Sequence, residues 1–106
     1  MKTKFVCNAF SLNMLASLTA SIKVQEITAA SAAVIAEGTP SAVGHADTAN
    51  LFTAVLGTAV PMARTTVTLN NGDCVLVGQY SGPRLPEGAT TLPEGATLKW
   101  VLVTIE

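Results

Sequence analysis

The sequence predicts a single α/β domain over residues 1–106, in which about five β-strands form one mixed sheet with short flanking helices. Three observations indicate this fold class. Apolar, strand-like runs stand near both ends of the chain, at residues 4–8 and 98–105. An alanine-rich segment between Thr28 and Gly38 carries the start and stop signals of a helix. Strand-like and helix-like segments are interspersed between them, and this order favours helices packed against a sheet.

The first quarter of the chain contains two predicted strands around a brief helix. Residues 4–8 form the first strand. Ser11 is placed to cap a helix over residues 12–16, because its hydroxyl can accept bonds from the free N–H groups of the first turn. In residues 20–25 apolar and polar side chains alternate, which predicts a half-buried second strand.

Two helices are predicted next. Thr28 caps the first, which ends at Gly38 with Pro40 just beyond. Residues 42–50 lead from a short extended piece into the second helix, which ends at Gly57. One side of that helix carries its apolar residues, Leu51, Phe52, Val55 and Leu56.

Three strands are predicted in the second half. Residues 65–69 and 74–79 flank Asn71-Gly72, a strong hairpin signal. Residues 98–105 are apolar on both faces, which is typical of a central strand. The sequence Leu-Pro-Glu-Gly-Ala-Thr occurs twice between the last two strands, and we expect two consecutive turns there, at residues 85–90 and 92–97.

The charge balance limits the partners of the protein. Only 12% of residues are charged and 49% are hydrophobic, which excludes a disordered chain and favours a homo-oligomer with an apolar interface. Six lysines and arginines against seven acidic residues cannot form the broad basic face that long DNA or RNA requires. A small polyanion at one concentrated site remains compatible with this composition.

The cysteines and the apolar runs indicate the compartment. Cys7 and Cys74 are expected to be buried free thiols, and with one histidine they form no zinc site, so neither metal nor cofactor is predicted. The longest apolar stretch, residues 51–63, is too short to span a bilayer. No signal peptide is evident, and we expect a cytoplasmic protein without membrane contact, in the host cell if a virus encodes it.

His45 is the first candidate for chemistry. It follows Gly44 and precedes a predicted helix, whose free N–H groups favour a bound anion. A phosphate at that position would keep the imidazole protonated, and a protonated imidazole suits general acid catalysis on a phosphodiester. A histidine that caps the helix or packs at the surface is the alternative.

Two arginines and a glutamate are the next candidates. Arg64 precedes one predicted strand and Arg84 follows another, and the planar guanidinium makes paired hydrogen bonds to phosphate. Ordinary surface arginines are the alternative. Glu87 could transfer protons, but Glu94 has the same neighbours and both fit solvated turns. Three polar residues at the first strand–helix junction could line a ligand site or simply cap the helix: Asn8, Ser11 and Asn13.

The order of these residues resembles the viral ring-nuclease anti-CRISPR family, small proteins of archaeal viruses, phages and bacterial mobile elements. The resemblance rests on the block Asn-Ala-Phe-Ser-Leu-Asn-Met-Leu at residues 8–15, which is specific. Gly44-His45, Arg64, Gln79 and the segment 84–88 follow in the family's order, over nearly the whole chain.

The resemblance implies a symmetric homodimer around cyclic tetra-adenylate, the second messenger of type III CRISPR defence. It implies metal-independent cleavage, in which a ribose 2′-hydroxyl of the ligand attacks the neighbouring phosphorus and leaves a 2′,3′-cyclic phosphate. His45 would protonate the leaving 5′ oxygen and Glu87 would assist. The residues that would bind the ligand are Asn8, Ser11, Asn13, Thr48, Arg64, Val67, Gln79 and Arg84.

The chain departs from the family pattern in three places. Asp47 follows His45 closely, where more hydroxyl character is expected, and a carboxylate there would repel phosphate unless it points away. Gly82-Pro83 lengthens the loop before Arg84, and the Pro-Glu-Gly repeat replaces a helix before the last strand. Two other functions stay open: a sponge that sequesters a cyclic nucleotide uncut, and a structural homodimer that binds a host protein.

Overall fold

The computed structural model describes residues 3–106 as one mixed sheet with two α-helices. A single-turn 3₁₀ helix, Leu12–Met14, follows the first strand. The regular elements are, in chain order, β1 Phe5–Cys7, β2 Ile22–Ile27, α1 Ala29–Ala36, α2 Ala46–Leu56, β3 Cys74–Ser81 and β4 Thr97–Ile105.

The sheet has four strands in the order β1-β3-β4-β2. β1 runs parallel to β3, while β4 is antiparallel to both of its neighbours, β3 and β2. The predicted central position of the last strand is thus confirmed. β1 and β2 form the two edges.

Two apolar clusters fill the two faces of the sheet. On one face α1 and α2 pack over Leu76 and Trp100, and Phe52 of α2 meets Trp100 edge-on with ring centroids 4.8 Å apart. Gly78 of β3 makes this contact possible, because a Cβ there would overlap the Phe52 ring and lie 2.7 Å from Trp100 Cζ3. The other face is covered by the 3₁₀ helix that contains Met14 and by the loop that contains Val67.

The predicted strand over residues 65–69 is wrong, so the sheet has four strands rather than about five. Val67 and Leu69 are buried against the face of the sheet, and Leu69 makes an isolated bridge to Leu15. The alternation that predicted a strand is therefore satisfied by packing, without a hydrogen-bonded ladder. A turn does form at Gly72, with φ +93°, but it leads into β3 without making a hairpin.

Two burial predictions also need correction. β2 lies two residues later than predicted and is mostly exposed, because the two apolar clusters include only its last residue, Ile27; Val24 is 62% exposed. In α2, Leu51, Phe52 and Leu56 are buried as expected, but Val55 is 38% exposed.

The local helix and turn signals are confirmed. Thr28 Oγ1 accepts a hydrogen bond from Ser31 N at 3.1 Å, and Gly57 closes α2 in the left-handed conformation. Both Pro-Glu-Gly segments form turns, closed from Ala89 N to Pro86 O and from Ala96 N to Pro93 O.

Cys7 and Cys74 are buried and free, as predicted. Burial raises the pKa of the Cys7 thiol to about 11, which keeps it protonated and unreactive at neutral pH. Among the described residues, no helix has the length and apolar character that a membrane crossing requires.

Candidate functional site

His45 stands directly before α2 in an extended conformation, with φ −128° and ψ 128°. Its carbonyl accepts the first hydrogen bond of the helix, from Ala49 N at 3.0 Å, but its ring makes no capping bond. The ring therefore does not cap the helix, and its exposure agrees with the other alternative, a histidine at the surface. The imidazole is exposed beside the N-terminus of a helix of 11 residues, where backbone N–H groups favour a negative charge.

A first pocket, of about 500 Å³, has His45 in its wall. Arg64 lines it, and it lies where the end of β1 meets the start of α2. The other residues of its wall are Asn8, Ala42, Gly44, Thr65 and Thr66. We call this the Arg64 pocket.

A second pocket, of about 270 Å³, also has His45 in its wall. Arg84 lines it together with the first turn of α2, and the remaining residues are Asp47, Thr48 and Leu85. We call this the Arg84 pocket. His45 is common to both pockets, so the one histidine of the chain borders one pocket with Arg64 and a second with Arg84.

Backbone pairing brings the wall of the Arg64 pocket together. Ala42 N donates to Val6 O, and Ala63 N donates to Val43 O, both at 2.8 Å, so residues 41–43 lie between the end of β1 and residues 62–63. This arrangement places Asn8, Gly44 and Arg64 at the mouth of one pocket.

Arg64 is also tied to the backbone that carries His45. Its Nε donates to Gly44 O at 3.2 Å, across the pocket mouth. The two terminal nitrogens of the guanidinium remain for a ligand, and they are the pair that binds phosphate in a fork. A second hydrogen bond links the segment before Arg64 to α2, because Thr53 Oγ1 accepts from Val60 N at 2.9 Å.

The charge around His45 is positive. The walls of the two pockets contain two cationic side chains, Arg64 and Arg84, and one carboxylate, that of Asp47. Neither guanidinium forms an ion pair with a carboxylate of residues 3–106; the ion pair there joins Lys4 and Asp73. Both arginines are therefore available to an anion.

The pockets bring together five of the ten residues that the sequence predicted for the site: Asn8, His45, Thr48, Arg64 and Arg84. The other five lie outside both walls. Ser11 accepts from Asn13 N and caps the 3₁₀ helix, as the capping alternative expects, and Asn13 itself is exposed. Val67 is buried in the core, Gln79 is exposed on β3, and Glu87 is exposed in its turn, like its twin Glu94.

Several wall residues were not predicted. Thr65 and Thr66 were assigned to a strand, but they lie in a loop where their side chains line the Arg64 pocket. The sequence signal that could have identified them as wall residues is their position directly after Arg64. Gly44, Ala42 and Leu85 carry no functional group in their side chains, so their chemistry did not mark them as wall residues.

No group of three or more histidine, cysteine, aspartate or glutamate side chains within residues 3–106 is arranged to hold a metal ion. The chemistry that this site can perform with its own groups is anion binding by the two guanidiniums and proton transfer by the imidazole.

Comparison with known proteins gives one consistent picture. None of the curated proteins compared matches the sequence significantly. The fold is similar to that of B116 of Sulfolobus turreted icosahedral virus, with a TM-score of 0.80 and 28% identity over 96% of this chain and 98% of that chain. Residues 4–99 match the STIV B116-like family. Because that match spans most of the sequence, the chain belongs to the STIV B116-like family.

Proposed function

We propose that this protein is a ring nuclease that binds cyclic tetra-adenylate and cleaves it without a metal ion, and so suppresses type III CRISPR signalling for a virus or mobile element. The observation that carries the proposal is the exposed His45 in the walls of two pockets, each with one arginine. The similarity to a viral protein fits this role.

In the proposed reaction a ribose 2′ oxygen of the ligand attacks the adjacent phosphorus. The bond from phosphorus to the 5′ oxygen breaks, and the product is linear with a 2′,3′-cyclic phosphate end. His45, as imidazolium, donates its proton to the leaving 5′ oxygen, while the proton of the 2′-hydroxyl passes to solvent. General acid catalysis of this kind contributes about 10²–10⁴ in rate. Alignment of the attack can contribute roughly 7–11 kcal/mol at most.

The two pockets support binding of phosphates beside the histidine. In the Arg64 pocket a phosphate would meet the terminal nitrogens of Arg64 and polar groups of Asn8 and Thr65. In the Arg84 pocket it would meet Arg84 and the first turn of α2, at Thr48. The scissile phosphate lies next to His45, which borders both.

A homodimer completes the proposal. Two copies of Arg64 and Arg84 provide four guanidiniums for a ring with four phosphates, and a two-fold ligand suits a two-fold axis. Leu12 and Met62, close in sequence to pocket residues, are 60% and 49% exposed, and a dimer interface beside the pockets would bury their apolar side chains.

Asp47 favours a second candidate, a sponge that holds the ring uncut. Its carboxylate lines the Arg84 pocket and offsets the charge of Arg84, so it reduces the positive potential available to the transition state. Glu87, the carboxylate that the family resemblance assigns to catalysis, lies in neither pocket wall of the protomer.

The test is incubation of the purified protein with cyclic tri-, tetra- and hexa-adenylate in the presence of a chelator, followed by chromatography. The ring nuclease converts the tetra-adenylate ring to linear products, and His45→Ala lowers this rate by about 10²–10⁴ while the ring still binds. Asn50→Ala, an exposed α2 residue outside both pockets, is the matched control and should cleave normally.

Other outcomes assign other functions. Recovery of intact, tightly bound ring identifies a sponge. If no cyclic oligoadenylate raises the melting temperature, the protein does not bind this class of ligand, because a tight ligand stabilises the folded state by linkage. That result would favour the homodimer that binds a host protein.

A further inference from the structure

We infer that Tyr80, Gly82 and Ala96 form a support that holds Arg84 beside His45, and that these three are positioning residues for the Arg84 pocket. We call them the loop support. The inference deepens the proposed function and depends on it for its catalytic readout, but its geometry can be tested without any ligand.

The loop support lies where the β3–β4 ladder ends. Tyr80 is opposite Leu98 and Ser81 is opposite Thr97, the last pair of the ladder. The next residues along the two strands are Gly82 and Ala96, and the loop between them carries Arg84 and both Pro-Glu-Gly turns. The path of the chain at Gly82 therefore decides where Arg84 begins.

Gly82 approaches Ala96 too closely for any side chain. A Cβ at residue 82 would lie 2.6 Å from Ala96 Cβ and 2.8 Å from Ala96 Cα, and Gly82 has φ +154°. Only glycine fits at this position. This contact holds the start of the loop against the second copy of the repeat. Ala96 is itself held by the turn of that copy, because its N–H donates to Pro93 O at 3.0 Å.

Tyr80 fixes the residue next to Arg84. Its hydroxyl donates a hydrogen bond to the carbonyl oxygen of Pro83. Because side chains alternate along a strand, Tyr80 lies on the same face of β3 as Gly78, and this is the face on which α2 packs. The bond thus holds the Pro83–Arg84 peptide on the side of the sheet where α2 begins.

These contacts give the Gly82-Pro83 extension a function. A longer loop would let Arg84 sample many positions, but the two contacts restrain it on both sides of Pro83. Arg84 then lines the pocket with His45 and Thr48, although it makes no ion pair there with any of residues 3–106. Of the two repeat copies, the second contributes Ala96, the residue that Gly82 approaches most closely.

The main test is a double-mutant cycle with Tyr80→Phe and Arg84→Ala, using cyclic tetra-adenylate as ligand. Tyr80→Phe alone should weaken ring binding by about 2- to 10-fold, the effect of one hydrogen bond. In the Arg84→Ala background it should have no further effect, because its action passes through Arg84. An equal loss in both backgrounds would overturn the inference. Thr91→Ala, an exposed position between the two turns, is the control and should leave binding unchanged.

Backbone NMR order parameters of the ligand-free protein keep the inference separate from the proposed function. Tyr80→Phe should lower the order parameters of the Arg84 and Leu85 amides and leave those of α2 unchanged. If the values at Arg84 and Leu85 stay at the wild-type level, the loop support is wrong even when the protein cleaves the ring. If they fall while no ring is bound or cut, the loop support stands and the proposed function fails.

Discussion

Arg64 combines two roles that other cations cannot combine. Its Nε holds the Gly44 carbonyl, one peptide before His45, and its terminal nitrogens stay available to a ligand. Lysine would supply charge at a single point and cannot make both contacts in the fixed fork of a guanidinium. In the proposed reaction, Arg64 would therefore contribute both to ring binding and to the orientation of the segment that carries His45.

Substitutions at Arg64 separate these roles. Arg64→Lys should recover part of the ring affinity lost in Arg64→Ala, because the charge is kept, but the cleavage rate of the bound ring should stay about 10-fold or more below wild type. Calorimetry and single-turnover cleavage measure the two quantities. Wild-type turnover by Arg64→Lys would contradict a role for the bond to Gly44.

Outside the candidate site, the lowered pKa of Asp73 predicts a pH-dependent contribution to stability. The backbone N–H of Asn70, 2.8 Å from its carboxylate, lowers its pKa below the ordinary value of 3.8, and Lys4 acts in the same direction. A carboxyl with a lowered folded-state pKa stabilises the fold above its unfolded pKa, and this contribution is lost as the pH falls through the lowered value.

Asp73→Asn should therefore lower the free energy of unfolding at pH 7 by about 1 kcal/mol, the net effect of losing charge-assisted bonds at a partly exposed position. At a pH well below 3.8 the difference from wild type should shrink towards zero. Urea unfolding at the two pH values measures it. A deficit that is equal at both would show that the charge of Asp73 does not stabilise the fold.

At the scale of elements, the packing of α2 against the sheet sets the position of the candidate site at its N-terminus. The helix begins at the residue after His45, and its Phe52 ring lies over Gly78 against Trp100. The glycine is therefore required by close packing, not by its backbone conformation. Any side chain at residue 78 must push the helix away from the sheet.

Gly78→Ala should lower the free energy of unfolding by about 1–3 kcal/mol, the usual cost of overpacking a core. Because the shifted helix carries His45 and Thr48, the folded variant should also bind the ring more weakly. Thermal unfolding and calorimetry measure the two effects. Wild-type stability in this variant would show that α2 can shift to accommodate the added methyl group without strain.

The elements that the sequence predicted well are those with local signals. Thr28 and Gly57 mark the ends of helices by capping chemistry that depends on a few neighbouring residues. Residues 65–69 show the apolar–polar alternation of a strand, but in the structure this pattern reflects only the burial of Val67 and Leu69. The exposure of β2 depends on which strands the helices and loops cover, which only the tertiary structure determines.

The same distinction applies to the site. His45, Arg64 and Arg84 were predicted because their chemistry is carried by distinctive side chains. Their meeting around one helix start depends on pairing between segments far apart in sequence, such as residues 43 and 62. Thr65 and Thr66 enter the pocket wall because a loop replaces the predicted strand.

For the whole molecule, charge should discriminate a small ring from long RNA. The net charge is −1, so the protein lacks the distributed positive charge that long nucleic acids require. Cyclic tetra-adenylate should raise the melting temperature of His45→Ala in a concentration-dependent way, whereas single-stranded poly-adenylate of equal nucleotide content should not. Equal stabilisation by both would indicate a general RNA-binding surface.

Assembly belongs to the same scale. A chain of 10.9 kDa should sediment as a dimer, and calorimetry should give one ring for every two chains. One ring per chain would remove the shared site and with it the use of four guanidiniums on one ligand.

The most direct measurement is mass spectrometry of the products formed from cyclic tetra-adenylate by wild type and His45→Ala in parallel, with chelator present. We expect linear fragments with 2′,3′-cyclic phosphate ends from the wild type and intact ring from the variant. Cleavage that requires a divalent metal, or equal cleavage by both proteins, would contradict a site built on one imidazole and two guanidiniums.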